Sequence, residues 1–298
     1  MATFLDEMLE RCRSTARAAT ESVRDLAFPP CCRFCQRLVA SNQDFCRSCR
    51  VGLTASEPQM RCGCGRCGWP LGRMPAEETR LPTECPQCKD QSFHFDRVIP
   101  MWMYQGMVCD AVVAAKYFSQ SSLADTLGRR LGGIVSERLA EDRVDAVTFV
   151  PSHFTRQLSR GGIGVQTLAT AVAKRMGTPC KSLLKATRRI AKQAWLDDAS
   201  RVHNVRDAFR LKKSYAFGSS PDLCHRHILL VDDVFTTGAT TNEVARVLRS
   251  GGVSKVSVAV VARSVRSAHS SPGPQRFQDA TAPKRERIRN RSRDARTG

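Results

Sequence analysis

The sequence is short of acids, of aromatic rings and of long apolar runs. Its 47 Lys and Arg outnumber 28 Asp and Glu, for a formal charge of +19 at pH 7. A field of that sign repels cations and gathers polyanions, so nucleic acids and phosphate esters fit it best. Part of the excess is local, because from Pro274 onward eight basic residues stand against three acidic ones. Aromatics make up 6% of the 298 residues, which leaves no evident platform for stacking unpaired bases. Phe34, Phe45 and Trp69 are the nearest approach to one. No run of about 20 apolar residues occurs, so no membrane span is expected. Asp6, Glu7 and Glu10 fall where a secretion signal would carry its apolar segment. The expectation is a soluble cytoplasmic protein with reduced thiols.

Cysteine, by contrast, is plentiful and uneven. Ten of the 14 lie between Cys31 and Cys88, which marks a local device and not a disulfide frame for the whole chain. Cys32-x-x-Cys35 is followed by Cys46-x-x-Cys49, and Cys64-x-x-Cys67 by Cys85-x-x-Cys88. A Cys-x-x-Cys knuckle turns two thiolates toward one centre, and two knuckles complete a tetrahedral sulfur set suited to structural Zn²⁺ at one or two sites. Spacing alone leaves sequential and crossed pairings open, with Cys31 and Cys62 over. A region with so few large apolar residues depends on its metal to fold, at an apparent zinc affinity of roughly 10–16 kcal/mol near neutral pH.

Four segments follow from texture. Residues 1–28 place Phe4, Leu5, Met8, Leu9 and Cys12 at helical spacing. Residues 29–92 are the cysteine-rich ribbon, opened by the helix-breaking Pro29-Pro30. Residues 93–265 alternate strand and helix. The pattern predicts strands at Val98–Tyr104, Asp145–Val150, Ile228–Val231 and Val253–Val261, and helices at Met107–Tyr117, Leu123–Leu139, Val165–Met176 and Thr241–Ser250. Strand, helix and strand joined by short links imply parallel crossovers, hence a mostly parallel open α/β sheet with its ligand beyond the carboxyl ends of the strands. Residues 266–298 have almost nothing to bury and read as a disordered basic tail.

The most informative stretch is Ile228-Leu-Leu-Val-Asp232-Asp233-Val234-Phe235-Thr236-Thr237-Gly238-Ala239-Thr240. A strand buried on both faces closes on two carboxylates and turns through hydroxyls and a glycine into a helix. Gly238 lets backbone approach a ligand, the hydroxyls donate, and the helix start offers N–H groups at a positive dipole end. That is a cup for a phosphate, with two acids one turn earlier to accept from ribose hydroxyls, directly or through Mg²⁺. The stretch resembles the 5-phosphoribosyl-1-pyrophosphate (PRPP) loop of type I phosphoribosyltransferases.

Knuckles in front and this loop behind resemble the competence protein F family, over residues 24–265. The resemblance also takes in Phe28-Pro29-Pro30, Lys116-Tyr117, Val150-Pro151 with His153, Arg160-Gly161, and a run with Gln193, Leu196, Arg201, Asn204-Val205 and Ala208-Phe209. It implies a double zinc ribbon, a type I phosphoribosyltransferase domain, and a role in natural transformation beside single-stranded DNA and a helicase-like partner. In the mechanism it implies, an acceptor displaces pyrophosphate from PRPP with Mg²⁺ on the diphosphate. The segment from Thr236 to Thr240 would hold the 5-phosphate, Asp232 and Asp233 the ribose, Val150, Pro151, Ser152, His153 and Lys116 the pyrophosphate, and Arg160 would close over it. Lys116 reads equally as a solvated cation near a helix end, and His153 as a cap of the following turn. Two other readings remain open: an accessory of DNA uptake that keeps the fold as a scaffold, and a metabolite sensor. One departure stands out: where the family usually has Arg-Gly-aromatic-Asn-Gln, this chain has Arg160-Gly161-Gly162-Ile163-Gly164.

Overall fold

A computed structural model describes residues 28–72, 85–151, 164–188, 204–212 and 223–265. In chain order its elements are α1 (Arg47–Thr54), α2 (Glu57–Arg61), β1 (Arg97–Met103), α3 (Met107–Ala114), α4 (Ser121–Arg138), β2 (Ala146–Phe149), α5 (Gly164–Met176), β3 (Leu184–Ala186), β4 (Phe209–Leu211), β5 (His227–Phe235), α6 (Ala239–Ser250) and β6 (Lys255–Arg263). The N-terminal helix expected over 1–28 and the basic tail lie outside the described residues.

The main sheet has the order β1-β6-β5-β2 with every pairing parallel, as the alternation of strand and helix patterns predicts. Valine-rich β6 and the apolar start of β5 occupy its middle, where both faces are covered. Along β5, Leu229 and Val231 enter one core with α4 and α5, while Ile228 and Leu230 enter the other with α6. Strand residues alternate sides, so a continuous apolar run feeds both cores at once. The short antiparallel pair β3-β4 stands apart from this sheet and covers α6 from outside.

Strand and helix ends moved by a few residues from expectation, and one shift matters. β5 does not stop at the acids but runs through them to Phe235, because the parallel register with β6 continues through Val234↔Ala262 and Phe235↔Arg263. The next helix starts at Ala239 and not near Thr241, with Gly238 as its cap in the left-handed region at φ 83°. Ala239 and Thr240 therefore belong to the first turn of α6, and the loop between strand and helix is Thr236-Thr237-Gly238.

The cysteine region contains a structural repeat at an offset of 32 residues. Cys32 N–H donates to Arg37 O and Gln36 N–H to Cys32 O, at 2.7 and 3.0 Å; Cys64 N–H donates to Trp69 O and Gly68 N–H to Cys64 O, at 2.8 Å each. Gln36 and Gly68 have matching positive φ of 64° and 67°. Bridges Cys31↔Leu38 and Gly63↔Pro70 close the two knuckles. The first knuckle shares a core with the sheet: Cys32, Phe45, Cys49 and Leu53 pack in one cluster with Trp102 and Leu123. The second packs on β1, where Gly68 leaves no room for a Cβ, which would meet Pro100 at 2.8 Å.

Candidate functional site

In a parallel sheet all carboxyl ends share one edge. There β5 delivers Asp232 and Asp233, β2 runs out into Val150 and Pro151, and the turn after α3 delivers Lys116. Val150 N–H donates to Val231 O at 3.1 Å, which holds the start of the β2 loop beside the acids. Of the residues assigned to pyrophosphate, Ser152, His153 and Arg160 lie outside the described residues.

Lys116 Nζ sits 2.6 Å from Asp233 Oδ2, with side chains 28% and 23% exposed. Asp232 Oδ1 accepts from the Asp233 N–H at 2.9 Å. Paired acids at a strand end repel unless a cation serves them, and the chain supplies one in Lys116. Burial pulls the ammonium's pKa down, but attraction to Asp233 and Asp232 outweighs it and leaves it raised. Burial, then the charge of Asp233, pushes Asp232 up to about 8 against the opposing effects of the Asp233 N–H and Lys116. Asp232 therefore keeps its proton well above the ordinary carboxylate range.

This arrangement has a stability cost with a definite sign. Unfolded, Asp232 ionises above its ordinary 3.8; folded, only above about 8. The unfolded chain sheds the proton first, so stability falls as pH rises between those values and stays lowered above them. Asp232→Asn removes the cost. Variant and parent should match near pH 4 and diverge by a few kcal/mol in favour of the variant by pH 9, measured by urea unfolding at both values. A gap that fails to widen with pH would contradict the assignment.

The loop requires glycine at its cap. A Cβ at Gly238 would lie 2.5 Å from the Phe235 ring, in a conformation L side chains avoid. Thr241 Oγ1 donates to Gly238 O at 3.0 Å, and Ala239 N–H approaches Thr237 Oγ1 at 3.4 Å. Phe235 is itself buried, its ring part of the core beneath Gly238; only its backbone faces the loop. Arg263, the last residue of β6, was not singled out from sequence. Its guanidinium donates to the carbonyls of Phe235 and Thr236, and to Cys67 O at 3.1 Å. A basic residue ending a buried apolar strand was the available signal, but its partner lies almost 200 residues earlier in the second knuckle.

The altered family pattern has a packing consequence at Gly164. A Cβ there would meet Ala115 O at 2.4 Å and Lys116 Cα at 3.0 Å. The start of α5 therefore presses on the backbone that carries Lys116, and a glutamine at 164 would need that contact to open.

Cysteine pairing is sequential. Cys32, Cys35, Cys46 and Cys49 form one set and Cys64, Cys67, Cys85 and Cys88 another, with sulfurs in each set within 4.8 Å of one another. All are free thiols. A tetrahedral zinc with bonds of about 2.3 Å spaces its sulfurs at about 3.8 Å. The separations Cys35–Cys46 3.6 Å, Cys67–Cys85 3.6 Å, Cys85–Cys88 3.7 Å and Cys64–Cys88 3.8 Å match that spacing. With four protein ligands each, neither set leaves an open position, so both suit a structural ion and not a catalytic one.

Comparison with known proteins agrees with this construction. The phosphoribosyl transferase domain model matches residues 164–289. Competence protein F of Haemophilus influenzae is 26% identical over 205 residues, covering 67% of this chain and 84% of its own. DNA utilization protein YhgH of Escherichia coli K12 is 27% identical over 209 residues, covering 68% and 84%. Among solved structures, the glutamine PRPP amidotransferase of B. subtilis shares 20% identity over 50% of this chain and 30% of that one, at a TM-score of 0.33; so low a score adds no weight. Sheet, loop and domain match define a phosphoribosyl transferase-type α/β chain fronted by two four-cysteine modules. Over about two thirds of its length the chain is similar to competence protein F and to DNA utilization protein YhgH. No helix among the described residues is long and apolar enough to cross a membrane.

Proposed function

We propose that this protein binds PRPP at the carboxyl end of β5, with Mg²⁺ on the diphosphate and a structural zinc in each four-cysteine set, and transfers the phosphoribosyl group to an acceptor. The observation that carries this reading is the conjunction of a left-handed glycine turn opening α6 with two acids and a lysine one turn earlier on the same sheet edge. Backbone N–H groups and hydroxyls from Thr236 to Thr240 receive the 5-phosphate. Asp232 and Asp233 accept from the ribose hydroxyls, and Lys116 is released from Asp233 toward the departing pyrophosphate. Val150 and Pro151 lead toward that group; Ser152, His153 and Arg160, assigned to it from the sequence, lie outside the described residues. Mg²⁺ supplies charge neutralisation on the diphosphate; the chain's own part is to fix the sugar and exclude alternative geometries.

Pyrophosphate release in the presence of PRPP, Mg²⁺ and a panel of nucleobases and amines tests the transfer step. Release that depends on one acceptor class and disappears in Lys116→Ala is the expected result. Binding of PRPP without release from any acceptor would leave a sensor and end the enzyme reading.

A second reading has its own support. Arg33, Arg37, Arg47 and Arg50 are all exposed on the first cysteine module beside exposed Leu38 and Val51, and relatives carry the names competence protein and DNA utilization protein. Four cations within one small module suit a phosphate backbone. Affinity for single-stranded DNA should then fall steeply and linearly on a log-log plot against salt, and the four-arginine variant should flatten the slope.

A further inference from the structure

The phosphate loop and the second cysteine set are joined by one side chain. Arg263 is 6% exposed and sits between the ring of Phe235, 4.6 Å from its centroid, and that of Trp69, at 5.4 Å. Its Nε donates to Cys67 O, the carbonyl of a knuckle cysteine, at 3.1 Å; Nη1 donates to Phe235 O at 3.3 Å, to Ser264 O at 3.0 Å and to Thr236 O, the first carbonyl of the loop. The Phe235 ring it stacks on is the one that a Cβ at Gly238 would strike. The connection runs on through aromatic contacts, since Phe235 meets Phe95 edge-on at 5.8 Å, and Phe95 stacks on Phe93 at 4.5 Å. Phe93 and Trp69 pack against the four cysteines.

Such a guanidinium is unusual in its company. Among the described residues every hydrogen-bond acceptor it has is a carbonyl, and no carboxylate lies within ion-pair distance. A buried cation of this kind is costly without a nearby negative charge. A zinc ion held by four thiolates is doubly negative overall, and the second set lies beside Arg263. Lysine could not do the same work, because a planar fork reaches carbonyls on two elements at once and stacks between rings, whereas an ammonium is a point charge.

We propose that Arg263 is a positioning residue through which the second four-cysteine centre sets the shape of the PRPP loop, so that metal loading of Cys64, Cys67, Cys85 and Cys88 and phosphate binding at Thr236–Thr240 are energetically coupled. This rests on the phosphate reading of the loop given above. The coupling is reciprocal: whatever zinc does for PRPP affinity, PRPP does for zinc retention. The first cysteine set is not wired in this way, since its contacts go to the core around Trp102 and Leu123.

The test uses the full chain in four forms: parent, Arg263→Gln, Cys88→Ser and the double variant. Amide hydrogen exchange across residues 236–240 is measured in each, zinc is counted by elemental analysis, and PRPP affinity is measured with Mg²⁺. Arg263→Gln should keep both zinc ions yet exchange faster in the loop and bind PRPP about tenfold or more weakly, the loss expected when buried acceptors lose a charged donor. Cys88→Ser should lose one zinc and show the same loop phenotype. The double variant should be no worse than the more affected single one, because both cut the same connection. In the parent, PRPP should slow zinc release to a chelator, and in Arg263→Gln it should not. Parent-like loop exchange in Arg263→Gln, or additive effects in the double variant, would overturn the proposal. If the parent fails to bind PRPP, the functional reading falls by itself, while loop exchange still decides whether Arg263 links the two sites. Should Arg263→Gln not fold, Arg263→Lys takes its place with the same exchange and zinc readouts; its loop should again loosen, and a loop as protected as the parent's would count against the strut.

Discussion

Replacing Asp232 and Asp233 together by asparagine is expected to weaken PRPP binding in Mg²⁺ by about a hundredfold or more, the loss of the carboxylate charge at the sugar together with the counter-ion that positions Lys116. Asparagine keeps the size and a side-chain acceptor at both positions and removes the carboxylate charge. It also deprives Lys116 of the partner that holds it at 2.6 Å. The single variants should differ in stability for that reason. Asp233→Asn strands a largely buried ammonium and destabilises, whereas Asp232→Asn relieves a carboxyl that burial already holds near pKa 8. Parent-like affinity in the double variant, measured by calorimetry, would mean that the acids serve Lys116 alone and that the ligand reading of the strand end is wrong.

The second large effect is expected on removing zinc. The parent should carry two zinc ions per chain, one for each sulfur set, and a chelator at neutral pH should lower the melting temperature by roughly 10 °C or more. The size follows from how the modules are built into the fold. Cys32, Phe45, Cys49 and Leu53 are part of the core that covers one face of the sheet, and Trp102 Nε1 and the Met103 N–H of β1 donate to Glu57 and Ser56 just beyond the first set, at 3.0 and 2.9 Å. Losing the metal therefore uncovers β1 as well as the knuckles. Re-addition of zinc should restore the transition. Melting curves unmoved by a chelator that has removed both ions would contradict the role assigned to them.

Much of this was legible in the residues. The two-sided burial of β5 follows from an unbroken apolar run, and the knuckle spacing marks the eight cysteines as metal ligands. What the spacing could not decide was which knuckle pairs with which, because a tetrahedron is indifferent to chain order; only the folded positions of the eight sulfurs resolve it. The extension of β5 through its acids was also hidden, since a carboxylate in a strand reads as a strand end unless the neighbouring register with β6 is known. Lys116 was found as a candidate cation, but its partnership with Asp233 joins residues 117 positions apart and leaves no trace in local pattern. Arg263 was missed for the same reason: its meaning comes from Cys67 and Thr236, which the sheet brings to it.

Titration of the zinc-loaded parent with PRPP, with and without Mg²⁺, is the most direct measurement of the central claim that the β5 edge holds a sugar phosphate. Saturable binding at one site per chain, tightened by Mg²⁺ and competed by ribose 5-phosphate, is the predicted result. Absence of any heat or melting shift at millimolar PRPP, from protein with both zinc sites full, would contradict it.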